Sequence, residues 1–108
     1  MPPLNFYDTK SEAVKVLRER GFTERFVPNQ TGLRAIEKGK AYPTSELIII
    51  EYHRFEAASV SDETSLIFAI KTTDDHRGIF SFRYLGSPDM RLIEMVDKIP
   101  VQRSEIRD

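Results

Sequence analysis

Three stretches near the middle of the chain read as strands, the last two with a clean period of two. They are Leu47 to Glu56, Ser65 to Thr72 and Ile79 to Tyr84. Successive side chains of a strand point to opposite faces, so this period specifies strands rather than helix. In the second stretch Leu66, Phe68 and Ile70 share a face, with Ser65 and Lys71 opposite. In the third, Phe80, Phe82 and Tyr84 share a face, with Ser81 and Arg83 opposite. In the first, Ile48, Ile50 and Tyr52 are expected on one face. Leu47, Ile49, Glu51, His53 and Phe55 are expected on the other. Asp74-Asp75-His76-Arg77-Gly78 reads as a tight turn joining the last two strands. The polar run Ala57 to Glu63 joins the first two.

Helical signals flank this block. Thr9 is an N-cap, and Glu12 three residues later completes a capping box. Ala13, Val14, Val16 and Leu17 make the apolar stripe. Gly21 stands where a left-handed residue ends a helix, and Phe22 follows to close over Leu17. After the strands, Ser87 is read as a cap and Pro88 as a first-turn residue. Met90, Ile93, Met95 and Val96 are the expected core contacts of this second helix, with Ile99 just beyond. Segment 23–46 is less regular. Phe26-Val27 before Pro28 and Leu33 to Ile36 read as short strands, separated by a turn over Asn29 to Gly32.

A chain of 108 residues suits one domain. Short connections favour antiparallel neighbours. The expectation is an α+β domain of two layers: an antiparallel sheet of four or five strands with two helices on one face. Residues 1–8 and 101–108 are expected as a less ordered lead-in and tail.

Composition narrows function. The chain has 16 Lys and Arg against 17 Asp and Glu, giving a formal net charge of -1. Basic residues are interleaved with acidic ones, so the clustered charge that nucleic-acid binding needs is missing. Cysteine is absent, which removes disulfides and thiol chemistry and points to a cytoplasmic chain. No run approaches the apolar length of a membrane span, and residues 1–6 do not read as a signal peptide. No cofactor is expected. There is no Gly-rich nucleotide loop or serine elbow. Two histidines without cysteine would need carboxylates to hold a metal, so no metal site is expected.

Tyr7-Asp8-Thr9 through Glu12-Ala13, Leu17 to Phe22, Ile50-Glu51-Tyr52-His53-Arg54-Phe55-Glu56 and Leu66 to Ile70 together resemble a small family of roughly 100-residue proteins from Bacteroidota. Its members are sometimes labelled phosphoribosylpyrophosphate synthetase. That label implies an acidic pair after an apolar strand, then a phosphate loop and a helix. Here Asp74-Asp75 are followed by His76-Arg77-Gly78 and a direct return into a strand. No helix start is available to hold a phosphate, so the two aspartates are read as turn formers and that activity is rejected.

One polar constellation remains. Glu51 and His53 share one strand face, and Arg54 and Glu56 the other. Glu51 and His53 have the residue types of an acid–base pair. The plainer reading places them on an exposed sheet face, paired with Lys71 or Arg83 across strands. These four residues are the candidate ligand-binding site, and no catalytic set is identified. A small non-enzymatic interaction or regulatory module is the leading expectation, with a ligand-binding protein or enzyme built on these four residues as the alternative. Both faces of the long strands carry apolar residues, so both must be covered. Two helices on one face leave the other to segment 23–46, to the termini or to a second copy. A homodimer through a sheet face or edge is expected.

Overall fold

A computed structural model describes residues 9–59 and 61–102. Helix α1 spans Lys10–Glu19. Strands β1 (Glu24–Pro28), β2 (Gly32–Ala35) and β3 (Lys40–Pro43) follow as a meander. A single 3-10 turn, Thr44–Glu46, leads directly into β4 (Leu47–Phe55). Strands β5 (Thr64–Thr72) and β6 (Arg77–Tyr84) form a hairpin, and helix α2 spans Met90–Asp97.

The ends of α1 are those read from its sequence. Thr9 Oγ1 accepts a hydrogen bond from Glu12 N at 3.1 Å. Gly21 adopts φ +99, and Phe22 N donates to Leu17 O at 3.0 Å, closing the helix in a Schellman arrangement. Phe22 and Leu17 are both buried in one cluster. The cap of α2 differs from expectation. Asp89, not Ser87, accepts from the backbone N of Arg91 at 2.9 Å. Pro88 therefore precedes the cap rather than occupying the first turn. Met90, expected in the core, is exposed, whereas Leu92, Met95 and Val96 pack on the core.

Among the described residues the sheet has six strands, in the order β3-β2-β1-β6-β5-β4. It is mixed: β1 runs parallel to β6, and every other neighbouring pair is antiparallel. The expectation of four or five antiparallel strands is corrected on both counts. Lys40–Pro43, where the sequence suggests a turn over Lys38-Gly39-Lys40 and a connection from Pro43, is a strand in register with β2. The parallel joint rests on two pairs, Glu24–Gly78 and Arg25–Ile79. Gly78 allows it: a Cβ there would sit 2.4 Å from the carbonyl oxygen of Glu24.

The sheet is strongly curled. Lys40 Nζ and Tyr42 Oη of edge strand β3 bond Asp74 Oδ2 in the β5–β6 turn, at 2.8 and 3.1 Å. Three to four strand spacings separate these positions, about 14–19 Å in a flat sheet, which is more than the side chains span. The concave side holds Phe26, Leu33, Tyr42, Leu47, Ile49, Ile70 and Phe80, with α2 packed against them. On the convex side Ala13, Leu17 and Phe22 cover Ile67, Ala69 and Ile79. The two helices therefore lie on opposite faces, not on one. Each long strand carries apolar residues on both faces because each face has its own helix. Leu33 and Tyr42 fold into the concave core, so both faces are filled within one chain.

The free edge of β4 is closed only in part. Ile49 N donates to Pro100 O at 2.9 Å, and Gln102 N donates to Ile49 O at 2.8 Å. Val101 thereby bridges Ile49 in parallel, giving the start of the expected tail a defined place.

Candidate functional site

A bulge in β4 decides where the candidate residues point. Ile49 pairs with Ile70 and Glu51 with Ala69, leaving Ile50 as the extra residue. Before the bulge, Leu47 and Ile49 face the concave core. After it the phase shifts by one. Ile50, Glu51, His53 and Phe55 face α1, and Tyr52 and Arg54 face the concave side. The expected face of Ile48, Ile50 and Tyr52 therefore does not exist as one face.

The structure brings Glu51 and His53 together and separates them from Arg54 and Glu56. His53 Nε2 lies 3.0 Å from Glu51 Oε1. Arg20 Nη2, from the C-cap of α1, donates to Glu51 Oε2 at 2.9 Å. His53 is only 4% exposed and the Glu51 side chain 15%. The expected exposed pairing with Lys71 or Arg83 is thus corrected. Lys71 pairs with Asp75 and Arg83 with Glu63. Arg54 and Glu56 are exposed and pair with each other at 3.4 Å. Arg20 was missed because it stands at the C-cap of α1, 31 residues before Glu51 in the chain. Its approach to Glu51 follows from α1 docking on β5, which strand periodicity does not report.

Burial of the His53 ring, with the nearby Arg20 cation, pulls its pKa down to about 4. His53 is therefore neutral at pH 7, and an Nε2–H tautomer donates to Glu51. Glu51 spends its two oxygens on Arg20 and His53. A carboxylate so engaged ties α1 to β4.

A second polar cluster ties the curl. Asp74 accepts from Lys40, Tyr42 and, through a short contact, the Thr72 hydroxyl. These donors hold its carboxyl far below the usual carboxylate range. Asp75 beside it has φ +70, the left-handed conformation of a tight turn. Both aspartates are turn residues, as read, and β6 follows at once at Arg77.

Among the described residues, no group of three His, Cys, Asp or Glu side chains could hold a metal. No described helix is long and apolar enough to cross a membrane. A half-open cleft of about 850 Å³ lies between the β1–β2 turn and α2. Its charged lining, Asp89, Arg91, Glu94 and Lys98, alternates in sign along α2 and its caps.

The remaining feature is the end of β4 beyond the bulge. Among the described residues, none is paired with Tyr52 to Phe55 on the side away from β5. Tyr52 is 58% exposed there and stacks on buried Phe68 at 6.0 Å between centroids. No protein-family model, curated protein or solved structure matches the chain.

Proposed function

We propose that the chain is a small cytoplasmic interaction module that binds a partner strand along the open half of β4. The carrying observation is the contrast between the two sheet edges. β3 is four residues long, carries Lys40 at one end and Pro43 at the other, and is tied to the β5–β6 turn. Short edges with lysine and proline resist pairing. β4 is nine residues long, and the part beyond the bulge presents Tyr52 and Arg54 with no paired neighbour among the described residues. Adding a strand to such an edge gives affinity through backbone bonds and specificity through alternate side chains. The Arg20–Glu51–His53 set supports the same reading, since it fixes the strand from the α1 side.

The test uses Arg54→Pro as bait beside the unaltered chain. Proline removes one outward N–H. Capture from a native lysate is expected with the unaltered chain and lost with Arg54→Pro. Equal recovery by both baits would place the binding surface elsewhere.

A further inference from the structure

We infer that the strand received by β4 is β4 of a second copy, in one antiparallel register with Tyr52 opposite Arg54 of the second copy. This rests on the proposed role of the β4 edge and adds the identity and register of its occupant.

The backbone phase comes first. Ile49 sends both its N–H and its C=O away from β5, to Gln102 and Pro100. In an antiparallel pair, residues on one face share one hydrogen-bonding phase. Ile49, Tyr52 and Arg54 face the same side, opposite Ile70, Phe68 and Leu66 of β5. Tyr52 and Arg54 therefore also direct their N–H and C=O groups to the open side. A strand that places these two residues opposite each other completes both backbone bonds at each pair.

The side chains then choose among registers. Residues directly opposite must lie on the same face, so the two-fold axis passes through a residue. An axis at Arg54 puts two like charges opposite each other, which is unfavourable. An axis at Tyr52 sets Arg54 against the bulged Ile50, whose side chain points to α1. An axis at His53 sets each Tyr52 ring against an Arg54 guanidinium, twice. The Tyr52 ring lies roughly parallel to Phe68 on the same sheet face and is exposed, and the Arg54 side chain, two residues on along that face, is half-exposed. A guanidinium over a tyrosine face is attractive. The near-neutral chain, at -1, opposes association little. In this register His53 faces His53 of the second copy as a non-hydrogen-bonded pair, with its ring on the α1 side of the sheet, away from the Tyr52–Arg54 contacts.

The chain has no cysteine, so introduced thiols are the only ones present. Two single variants, Tyr52→Cys and Arg54→Cys, are oxidised mildly, alone and mixed. Hydrogen-bonded antiparallel pairs lie about 5.5 Å apart at Cα, within disulfide reach. The mixture is expected to cross-link about tenfold faster than either variant alone. Faster self-linking of Tyr52→Cys or Arg54→Cys would overturn the register. Sedimentation equilibrium of the unaltered chain covers the case in which the variants do not fold. A dimer mass at micromolar concentration supports the second copy, and one chain's mass throughout overturns it. A monomer that still captures another protein in an Arg54-dependent way would leave the edge reading standing while removing this occupant.

Discussion

Lys40 of β3 reaches Asp74 of the β5–β6 turn, 2.8 Å between Nζ and Oδ2, and so joins two parts of the sheet that a flat arrangement would hold far apart. Tyr42 Oη and the Thr72 hydroxyl donate to the same carboxylate. The curl is thus clasped at one acidic group. Asp74→Asn is expected to lower the urea midpoint, because the cation, phenol and hydroxyl lose their shared anion. The acid limb gives a second readout. The Asp74 carboxyl titrates below its ordinary pKa of 3.8 in the fold, so its contribution is complete above that pH. It is lost as pH falls further, and Asp74→Asn should remove that part of the acid dependence. An unchanged midpoint and unchanged acid limb would count against the clasp.

The His53 titration occupies a separate pH window. Its pKa is ordinarily 6.5 and falls to about 4 in the fold. The unfolded chain therefore takes up the proton first as pH is lowered. Stability is complete above 6.5, declines between 6.5 and about 4, and levels below, by about 3 kcal/mol in all. Urea titrations across this range on the unaltered chain and on His53→Gln should show the slope in the first and a much flatter line in the second. Parallel curves would mean that His53 does not control this limb.

Arg20→Met tests the tie between α1 and β4. It leaves the Glu51 carboxylate half-satisfied beneath the helix. Arg20 is partly exposed, so water recovers some of the loss, and a cost of about 1–3 kcal/mol is expected in chemical unfolding. A cost near zero would show that Glu51 is fully solvated without its guanidinium.

Gly78→Ala probes the parallel joint. The added methyl would meet the Glu24 carbonyl oxygen at 2.4 Å and the Glu24 Cβ at 2.7 Å. Backbone must move apart there, and overpacking of this kind costs about 1–3 kcal/mol. Thermal unfolding of Gly78→Ala should fall below that of the unaltered chain, whereas Gly86→Ser in an open turn has nothing within 4 Å to strike. Gly86 has φ +80, so that change tests strain without collision.

Local patterns gave α1, both of its caps and the β5–β6 hairpin, because each depends on residues close in the chain. The helices' placement on opposite faces was not legible. The apolar residues on both faces of β5 said that both sides are covered but not by what. Nor was β3, whose residues Lys40 to Pro43 carry turn-like composition and become strand only by pairing with β2. The candidate site was legible by half. Glu51 and His53 do share a face, since they lie on the same side of the bulge. Ile50 as the extra residue leaves no mark in the period of the strand, so the turn of Tyr52 onto the side of Leu47 and Ile49 was missed. Arg20 joins the site through tertiary packing, which no spacing along β4 encodes.

Amide hydrogen exchange at Tyr52 and Arg54, followed over a range of protein concentration, tests the role of the β4 edge most directly. Both N–H groups point away from β5, where no described residue pairs with them, and a paired edge protects them. The prediction is slow exchange at high concentration that becomes fast on dilution, with the inward amide of His53 protected throughout. Fast exchange at Tyr52 and Arg54 at every concentration, or protection that dilution does not alter, would contradict it.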